Sequence, residues 1–441
     1  MFEIENYKKN LDKNLILKVI NETFKKSYPK YYLKKLVKIR KNYILIGKTK
    51  INNKKKIFLI GFGKVAPYVA KNLVQIIGEK RIQKGIIISP NYNHTKSSKK
   101  IAYLKGTHPN PSKQSYDSTK KLLSFLKKIQ DDDVIISIVT GGGSSCLSSP
   151  IKGISVKDEI ILNKLLIRES IRADERNKIR GHFSNVKNGK LAKLVYPSKI
   201  LNLIVCDDPK HIIKSVGSGA TLYNNVSKEN VEKILIKNNL IKKIPKNMRE
   251  NLKNSLSKNN VNFKGKNIKN HVIFDNKKFL KNFKKISHSN KISKVYICPK
   301  ILTEDAEKSK KFFLKYINKY KKLKNCLIIF GSELKIKVKK SNSKGGRIQH
   351  FAALCMDHLS SYFKNFLFLG FATDGHDYLK NISGVIYDNH DAKKILKYEK
   401  TFKKKLMSFN SFKIFKKKSM LLKLKSQTKN NVFDVVGIYL K

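Results

Sequence analysis

The sequence is short of arginine, cysteine and acidic residues, and it has no long apolar run. Its longest apolar stretches, such as that around Asn365 to Phe371, reach fewer than ~10 residues where a membrane-spanning helix needs roughly 20, so no transmembrane helix is expected. The opening residues Met1-Phe-Glu-Ile-Glu-Asn-Tyr have neither the basic start nor the apolar stretch of ~7–15 residues of a secretory signal, and a cytoplasmic protein is expected. The five cysteines (Cys146, Cys206, Cys298, Cys326, Cys355) are odd in number and scattered, with no Cys-x-x-Cys pair. They are read as reduced core residues rather than disulfide partners or zinc ligands. What remains is ample for folding: 441 residues, 40% of them hydrophobic, suffice for about two domains and argue against simple disorder.

The acidic shortage leaves a formal charge of +65, from 96 basic against 31 acidic residues. Such a charge suggests nucleic acid, because neutralising phosphates releases counterions. The pattern argues otherwise. Lysine supplies 88 of the basic residues and arginine only 8, although arginine is the side chain suited to bidentate phosphate and base contacts. The lysines are spread evenly among many Asn and Ile, as in the product of an AT-rich genome. No zinc finger, RNA-recognition signature or basic region with heptads occurs. The few arginines are then the informative ones. Arg168, Arg172, Arg176 and Arg180 recur at four-residue spacing, which predicts one helical face, and Arg347 stands alone in a glycine-rich turn.

Short apolar runs alternate with longer segments of mixed polarity, the pattern of strand-helix-strand units around a largely parallel sheet. Strands are expected at Ile57 to Ile60, Gly85 to Ser89, Val134 to Val139 and Asn202 to Val205, with helices over Val65 to Ile77 and over Ser112 to Lys128, capped by Ser112. The stretch from about Glu229 to Lys269 is Lys- and Asn-rich with weak periodicity, and a domain boundary is placed near its end, giving domains 1–265 and 266–441. Further strands are expected at Val272 to Phe274, Val295 to Ile297, Cys326 to Phe330, Phe366 to Leu369, Val385 to Tyr387 and Val432 to Tyr439.

Several loops after these strands carry chemistry. Gly61-Phe-Gly63-Lys64-Val-Ala66 approaches the dinucleotide fingerprint, but Ser89-Pro90-Asn91 ends the next strand without the acidic residue that would hold a ribose. Phosphate or carboxylate fits this turn better than NAD, with Lys64 adding charge. Gly141-Gly-Gly-Ser144-Ser145 follows a strand and can form an anion-binding concavity of N–H groups, Ser144 adding a donor. It is not an ordinary P-loop. Gly345-Gly-Arg347-Ile-Gln349 opens a helix, and a cation in a first turn opposes the helix dipole unless an anion binds there. Thr373-Asp374-Gly-His-Asp377 and Asp207 place carboxylates at strand C-termini, where magnesium or a hydroxyl needing a base would suit them. His108, in Gly106-Thr-His-Pro-Asn-Pro111, fits a structural hydrogen bond at least as well as catalysis.

In this order the segments resemble the glycerate 2-kinase family whose C-terminal half is the MOFRL domain. Gly61-Phe-Gly-Lys64-Val-Ala is similar to its Gly-x-Gly-Lys-Ala-Ala, and His108-Pro-Asn-Pro111 to its His-Pro-x-Pro. Thr140-Gly-Gly-Gly-Ser144 is similar to its Ser-Gly-Gly-Gly-Ser. Glu175, Asn177, Arg180, His182 and Ser184 fit Glu-x-Asn-x-Val-Arg-Lys-His-Leu-Ser, and Ser218-Gly219 with Thr221 fits Ser-Gly-Pro-Thr. Gly331-Ser-Glu333, Gly345-Gly-Arg347-x-Gln349, Thr373-Asp-Gly-x-Asp377 and Asn431-Val-x-Asp434 follow in order. The resemblance implies a two-domain α/β protein: an N-terminal Rossmann-like doubly wound sheet, a smaller C-terminal MOFRL domain, and an active site in the interdomain cleft. It implies phosphorylation of the 2-hydroxyl of D-glycerate, or of a related hydroxy acid, with ATP and magnesium. Lys64, Arg347 and Asp207 are then the expected catalytic residues, with Gly141, Gly142, Gly143 and Ser144 on phosphate. Arg180, His182 and Glu333 are expected on substrate, Asp374 and Asp377 on metal. A small acid is the expected partner, without membrane or nucleic acid, and a homodimer is the assembly considered. The alternatives are an altered acceptor, or a non-enzymatic basic protein binding anions or nucleic acid. Departures fall at Asp208 to Ile213, where the family has Val-x-Gly-Asp-Asp-Pro, and at Gly181, Ile348, His350 and Asn381. They favour an active kinase with an altered acceptor over an inactive copy.

Overall fold

The computed structural model describes residues 1–3, 10–90, 98–169, 171–208, 211–224, 226–254, 263, 265–336, 338, 343–398, 401–416, 420–426 and 428–441. The chain forms two units, one of Pro29–Phe274 and one of Met1–Tyr28 together with Asp275–Lys441. This differs from the expected division at 265 in one large respect: the N-terminal segment belongs with the C-terminal residues. The cause is an apolar helical face. In the helix Leu11–Lys26, Ile16, Val19, Ile20 and Phe24 are all buried at helical spacing, and Phe24 packs its ring against Phe2, Phe279 and Phe371 at 4.8, 5.0 and 5.8 Å. Lys13, on the same helix and itself buried, pairs with Asp391.

The Pro29–Phe274 unit is built on a six-stranded sheet in the order Ile268–Asp275, Lys199–Cys206, Val134–Val139, Ile57–Phe62, Ile82–Ser89, Ile101–Lys105. The five strands from Lys199–Cys206 to Ile101–Lys105 pair in parallel throughout. Ile57–Phe62 and Val134–Val139 are buried along their whole length, which is why they read as continuous apolar runs rather than alternating ones. In chain order the first strand is central, the second and third lie to one side, and the fourth and fifth to the other. The order therefore reverses between Ile57–Phe62 and Val134–Val139, and the crevice beyond the carboxyl ends of strands at such a switch point is where open α/β sheets bind ligands. A helical layer beside the sheet, from Val156–Arg168, Ala173–His182, Lys228–Lys237 and Lys246–Asn254, has its own core of Leu162, Leu166, Ile179, Phe183, Val231 and Leu235. The four evenly spaced arginines do not share one helix. Arg168 ends the first of these, Arg172 is the N-cap of the next, and Arg176 and Arg180 lie within it.

The other unit has a seven-stranded sheet in the order Phe2–Glu3, Leu421–Leu424, Ile382–Asp388, Phe366–Ala372, Asp434–Leu440, Cys326–Ser332, Lys294–Ile297. It is mostly antiparallel, while Lys294–Ile297 and Cys326–Ser332 pair in parallel. Because the C-terminal strand runs against both neighbours, its first residue meets their last ones. Asp434 is opposite Ser332 on one side and Ala372 on the other. That register gathers Glu333, Thr373-Asp374 and Asp434 along one sheet edge. All five cysteines are free and buried.

Candidate active site

At the switch point two glycine turns lock together. The Gly63 N–H donates to the Ile88 carbonyl at 3.0 Å, and the Lys64 N–H to the Gly141 carbonyl at 2.8 Å. Gly63 has φ +110°, and a Cβ there would lie 2.4 Å from Thr140 Oγ1 and 2.5 Å from the Thr140 carbonyl oxygen. Only glycine lets the two loops approach this closely. Gly142, at φ +83°, has Lys64 Cγ and His108 Nδ1 about its Cα, at 3.1 and 3.4 Å from where a Cβ would stand. The backbone N–H groups of Gly143, Ser145 and Cys146 turn back onto Thr140 and Gly142 carbonyls. Among the described residues those of Gly141, Gly142 and Ser144 make no backbone hydrogen bond. Donors left in this way by successive residues make the concavity that holds anions, and Lys64 is the cation beside it.

Behind this turn lies a network of amides. Ser144 Oγ is hydrogen-bonded to Ser218 Oγ at 2.7 Å, and Ser218 to Asn177 Oδ1 at 2.9 Å. Arg180 donates to Asn177 Oδ1 at 2.6 Å and to Asn163 Oδ1 at 2.8 Å. Asn163 in turn donates to the Pro109 carbonyl at 3.2 Å and to Asn110 Oδ1 at 2.7 Å. Arg180 thus braces the phosphate turn and the His108 loop at once. Two of its N–H donors are used on this scaffold, while Nε is buried without a partner among the described residues. Burial, with Arg176 alongside, pushes its pKa down to about 9. His182, expected on substrate, sits at the end of the helix Ala173–His182 with its ring edge-on to Phe183. Burial, with Lys190 and Lys228 adding, pushes it down to about 4, so it is neutral at pH 7. The Lys190 ammonium caps the same helix end through the Gly181 carbonyl at 2.9 Å. Gly181 marks a departure with a structural reason: a Cβ there would lie 1.8 Å from Asn188 Nδ2. Asn188 fills the space.

Asp207 follows the strand Lys199–Cys206, next to the glycine strand in the sheet. Asp208 is used locally, accepting from the Ile212 N–H at 3.1 Å, while Pro209 and Lys210 of the divergent segment, like Asn91, lie outside the described residues.

In the other unit Arg347 is the first residue of the helix Arg347–Tyr362. The conflict between a cation and the helix dipole is resolved by the chain itself. Asp377 accepts the N–H groups of Ile348 at 3.0 Å and Gln349 at 2.9 Å, and Gln349 Nε2 at 3.1 Å. The carboxylate lies so close to Gly346 that a Cβ there would be 2.1 Å from its Cγ. Both Asp377 oxygens are therefore engaged as a helix cap. Burial, offset by these N–H donors and reinforced by Asp434, raises its pKa to about 6. Asp434 holds Arg347 by a two-pronged bond, Nε to Oδ2 at 2.5 Å and Nη2 to Oδ1 at 3.1 Å. The arginine side chain is 39% exposed and the aspartate 2%. Burial opposes the arginine's charge, but Asp434, with Glu333 and Asp377 behind it, raises its pKa above the ordinary value. Asp374 accepts the His376 N–H at 3.1 Å in the adjoining loop. The departures Ile348 and His350 are absorbed into packing, the first fully buried and the second stacked on Phe409 at 5.0 Å.

Sequence reasoning gave no role to Asn163, Ser145 or Asp434. Asp434 and Ser145 carried a signal, as the last residues of Asn431-Val-x-Asp434 and of Gly141-Gly-Gly-Ser144-Ser145.

Residues 15–253 match the family described as "Domain of unknown function (DUF4147)", and residues 326–434 match the MOFRL family. The chain is 25% identical to a glycerate 2-kinase of Pyrococcus horikoshii, over 95% of both proteins. It is 24% identical to a D-glycerate 2-kinase of Thermotoga maritima, over 87% of this chain and 90% of that one, and 27% identical to a glycerate 2-kinase of Picrophilus torridus, over 90% and 91%. The fold is similar to the crystal structure of a glycerate kinase from Thermotoga maritima, with a TM-score of 0.78, 23% identity and coverage of 97% of this chain and 99% of that one. With more than half of its length matched by one family and its C-terminal part by another, the chain belongs to the glycerate 2-kinase family with a C-terminal MOFRL domain.

Proposed function

We propose that the protein transfers the γ-phosphoryl group of ATP to the 2-hydroxyl of D-glycerate, or of a closely related hydroxy acid, giving the 2-phosphate. The observation that carries this reading is the interlocked pair of glycine turns at the switch point, with unused N–H groups at Gly141, Gly142 and Ser144 and the Lys64 stem over Gly142. Phosphoryl transfer asks little covalent chemistry of a protein and much positioning of charge. The turn holds phosphate oxygens through N–H donors that need no reorganisation, and Lys64 balances the charge of the migrating group. In the other unit Arg347, oriented by Asp434, is a fixed cation suited to phosphate or to a carboxylate. Glu333 lies among the acidic groups facing that cation and is assigned to substrate binding, and Asp207 accepts a hydrogen bond from a hydroxyl of the acceptor.

Magnesium fits as an ion carried by the nucleotide. Among the described residues no group of three or more His, Cys, Asp or Glu side chains is arranged to hold a metal, and Mg²⁺ with substrate phosphates needs only one or two carboxylates. Asp374 is the residue that would hold it, and the ion would neutralise phosphate charge. Phosphate transfer from ATP and magnesium to a panel of hydroxy acids tests the reading. D-glycerate or a near analogue is expected to be phosphorylated; no turnover on any hydroxy acid would overturn it.

A further inference from the structure

The residues above bind and orient, but none has been given the proton of the attacking hydroxyl. We propose that His108 is a further catalytic residue, its Nε2 accepting that proton; this rests on the phosphotransfer reading. His108 is exposed, and its loop is fixed from three sides. Thr107 Oγ1 donates to the Asn110 carbonyl at 2.7 Å, the Thr107 N–H to Ser115 Oγ at 3.0 Å, and Asn163 to Asn110 and the Pro109 carbonyl. The ring lies with Lys64 about the Cα of Gly142, beside the N–H groups that would hold phosphate.

Ser145 Oγ lies 3.1 Å from His108 Nδ1 and 3.2 Å from the Gly142 carbonyl. In the proposed state Nδ1 donates to Ser145 Oγ and the hydroxyl proton is directed to the Gly142 carbonyl. The neutral ring then has its lone pair on Nε2, the arrangement of a general base oriented by a hydroxyl. The Cys146 thiol close by is a weaker candidate, since it is buried and burial pushes it up to about 12.

In the step, the acceptor oxygen bonds to the γ-phosphorus as the bond from that phosphorus to the β-phosphate oxygen breaks. The bonding electrons leave on ADP, the hydroxyl proton passes to Nε2, and the imidazolium returns it to water after release.

The test uses the full-length protein with ATP, magnesium and whichever hydroxy acid the wild type phosphorylates. His108→Asn is the discriminating variant, because its amide N–H can replace the Nδ1 bond to Ser145 while offering no base. Both His108→Asn and His108→Ala are expected to lower kcat on the order of 10²- to 10⁴-fold, with KM for ATP within about threefold, and added imidazole is expected to restore part of the His108→Ala activity. If His108→Asn keeps kcat within about threefold of wild type, or imidazole leaves His108→Ala unchanged, the residue is structural and the proposal fails. Wild type that phosphorylates no hydroxy acid would sink the functional reading and this inference together.

Discussion

At the switch point of the parallel sheet, the groups offered to an anion are backbone N–H donors and one lysine. The edge of the antiparallel sheet offers instead an arginine already gripped by Asp434, above a helix end already capped by Asp377. The first arrangement is dictated by main-chain geometry, with Gly63 at φ +110° against the Thr140 carbonyl. The second depends on a bonded chain of charged side chains. Backbone sites fail when a Cβ intrudes and are indifferent to pH; side-chain sites fail when a partner is removed and respond to protonation.

Gly63→Ala gives the largest expected effect. A Cβ would stand 2.4 to 2.6 Å from Thr140 Oγ1 and the Thr140 and Gly141 carbonyl oxygens, two of the three being backbone. These atoms cannot swing away, so a loss on the order of 3 kcal/mol is expected in denaturant unfolding, with activity lost as well. A variant as stable as wild type would show that the two turns are not interlocked. Lys64→Ala separates function from fold in the same unit: kcat/KM is expected to fall on the order of 10²- to 10³-fold, with stability within about 0.5 kcal/mol.

Arg347→Ala breaks the comparison from the other side, since here function and stability fall together. It removes the two-pronged bond to Asp434, whose side chain is 2% exposed. Removing one member of a fully buried pair costs roughly 3–5 kcal/mol, but the arginine side chain is 39% exposed and solvent screens the pair, so about 1–2 kcal/mol is expected. Arg347→Lys is expected to recover little of either, because an ammonium cannot reproduce the fork to both Asp434 oxygens. Full recovery by lysine would show that only net charge matters there.

How much of this was legible in the sequence follows from what each feature depends on. The strand Val134 to Val139 was readable to the residue, and Ser112 caps its helix as expected, through the Ser115 N–H at 3.3 Å. Runs buried on both faces and capping hydroxyls are local signals. The short strands Val37–Ile39, Tyr43–Ile46 and Thr49–Asn52 were not anticipated, being only three or four residues long. The largely parallel pattern held in one unit and failed in the other, because the insertion of Asp434–Leu440 between Phe366–Ala372 and Cys326–Ser332 is a long-range pairing that no local run announces. The chemistry followed the same rule. Glycine turns could be placed from their strands, and Arg347 was singled out by its awkward position on the helix. That Asp377 is the anion which resolves it depends on residues 28 and 29 positions apart meeting, and the Asn163 bridge to Asn110 spans 53.

A pH dependence best separates the two arrangements. Burial raises the Asp377 carboxyl to about 6, despite the Ile348 and Gln349 N–H groups that favour its ionised form. An unfolded aspartate titrates near ~3.9, so the native state binds this proton more tightly than the unfolded chain. The stabilisation from that preference is complete below about pH 4 and is lost as pH rises through about 6. Asp377→Asn retains an oxygen for one N–H donor and has no charge to desolvate. Relative to wild type, the variant should therefore gain on the order of 2 kcal/mol between pH 4.5 and pH 8, read as the difference in unfolding free energy at each pH. No such pH dependence is expected for the difference between wild type and Gly63→Ala, whose cost is steric. A flat Asp377→Asn difference would mean that the helix N-terminus keeps this carboxylate ionised throughout, outweighing its burial. The side-chain arrangement would then be as insensitive to pH as the backbone one, and the contrast between them would reduce to geometry alone.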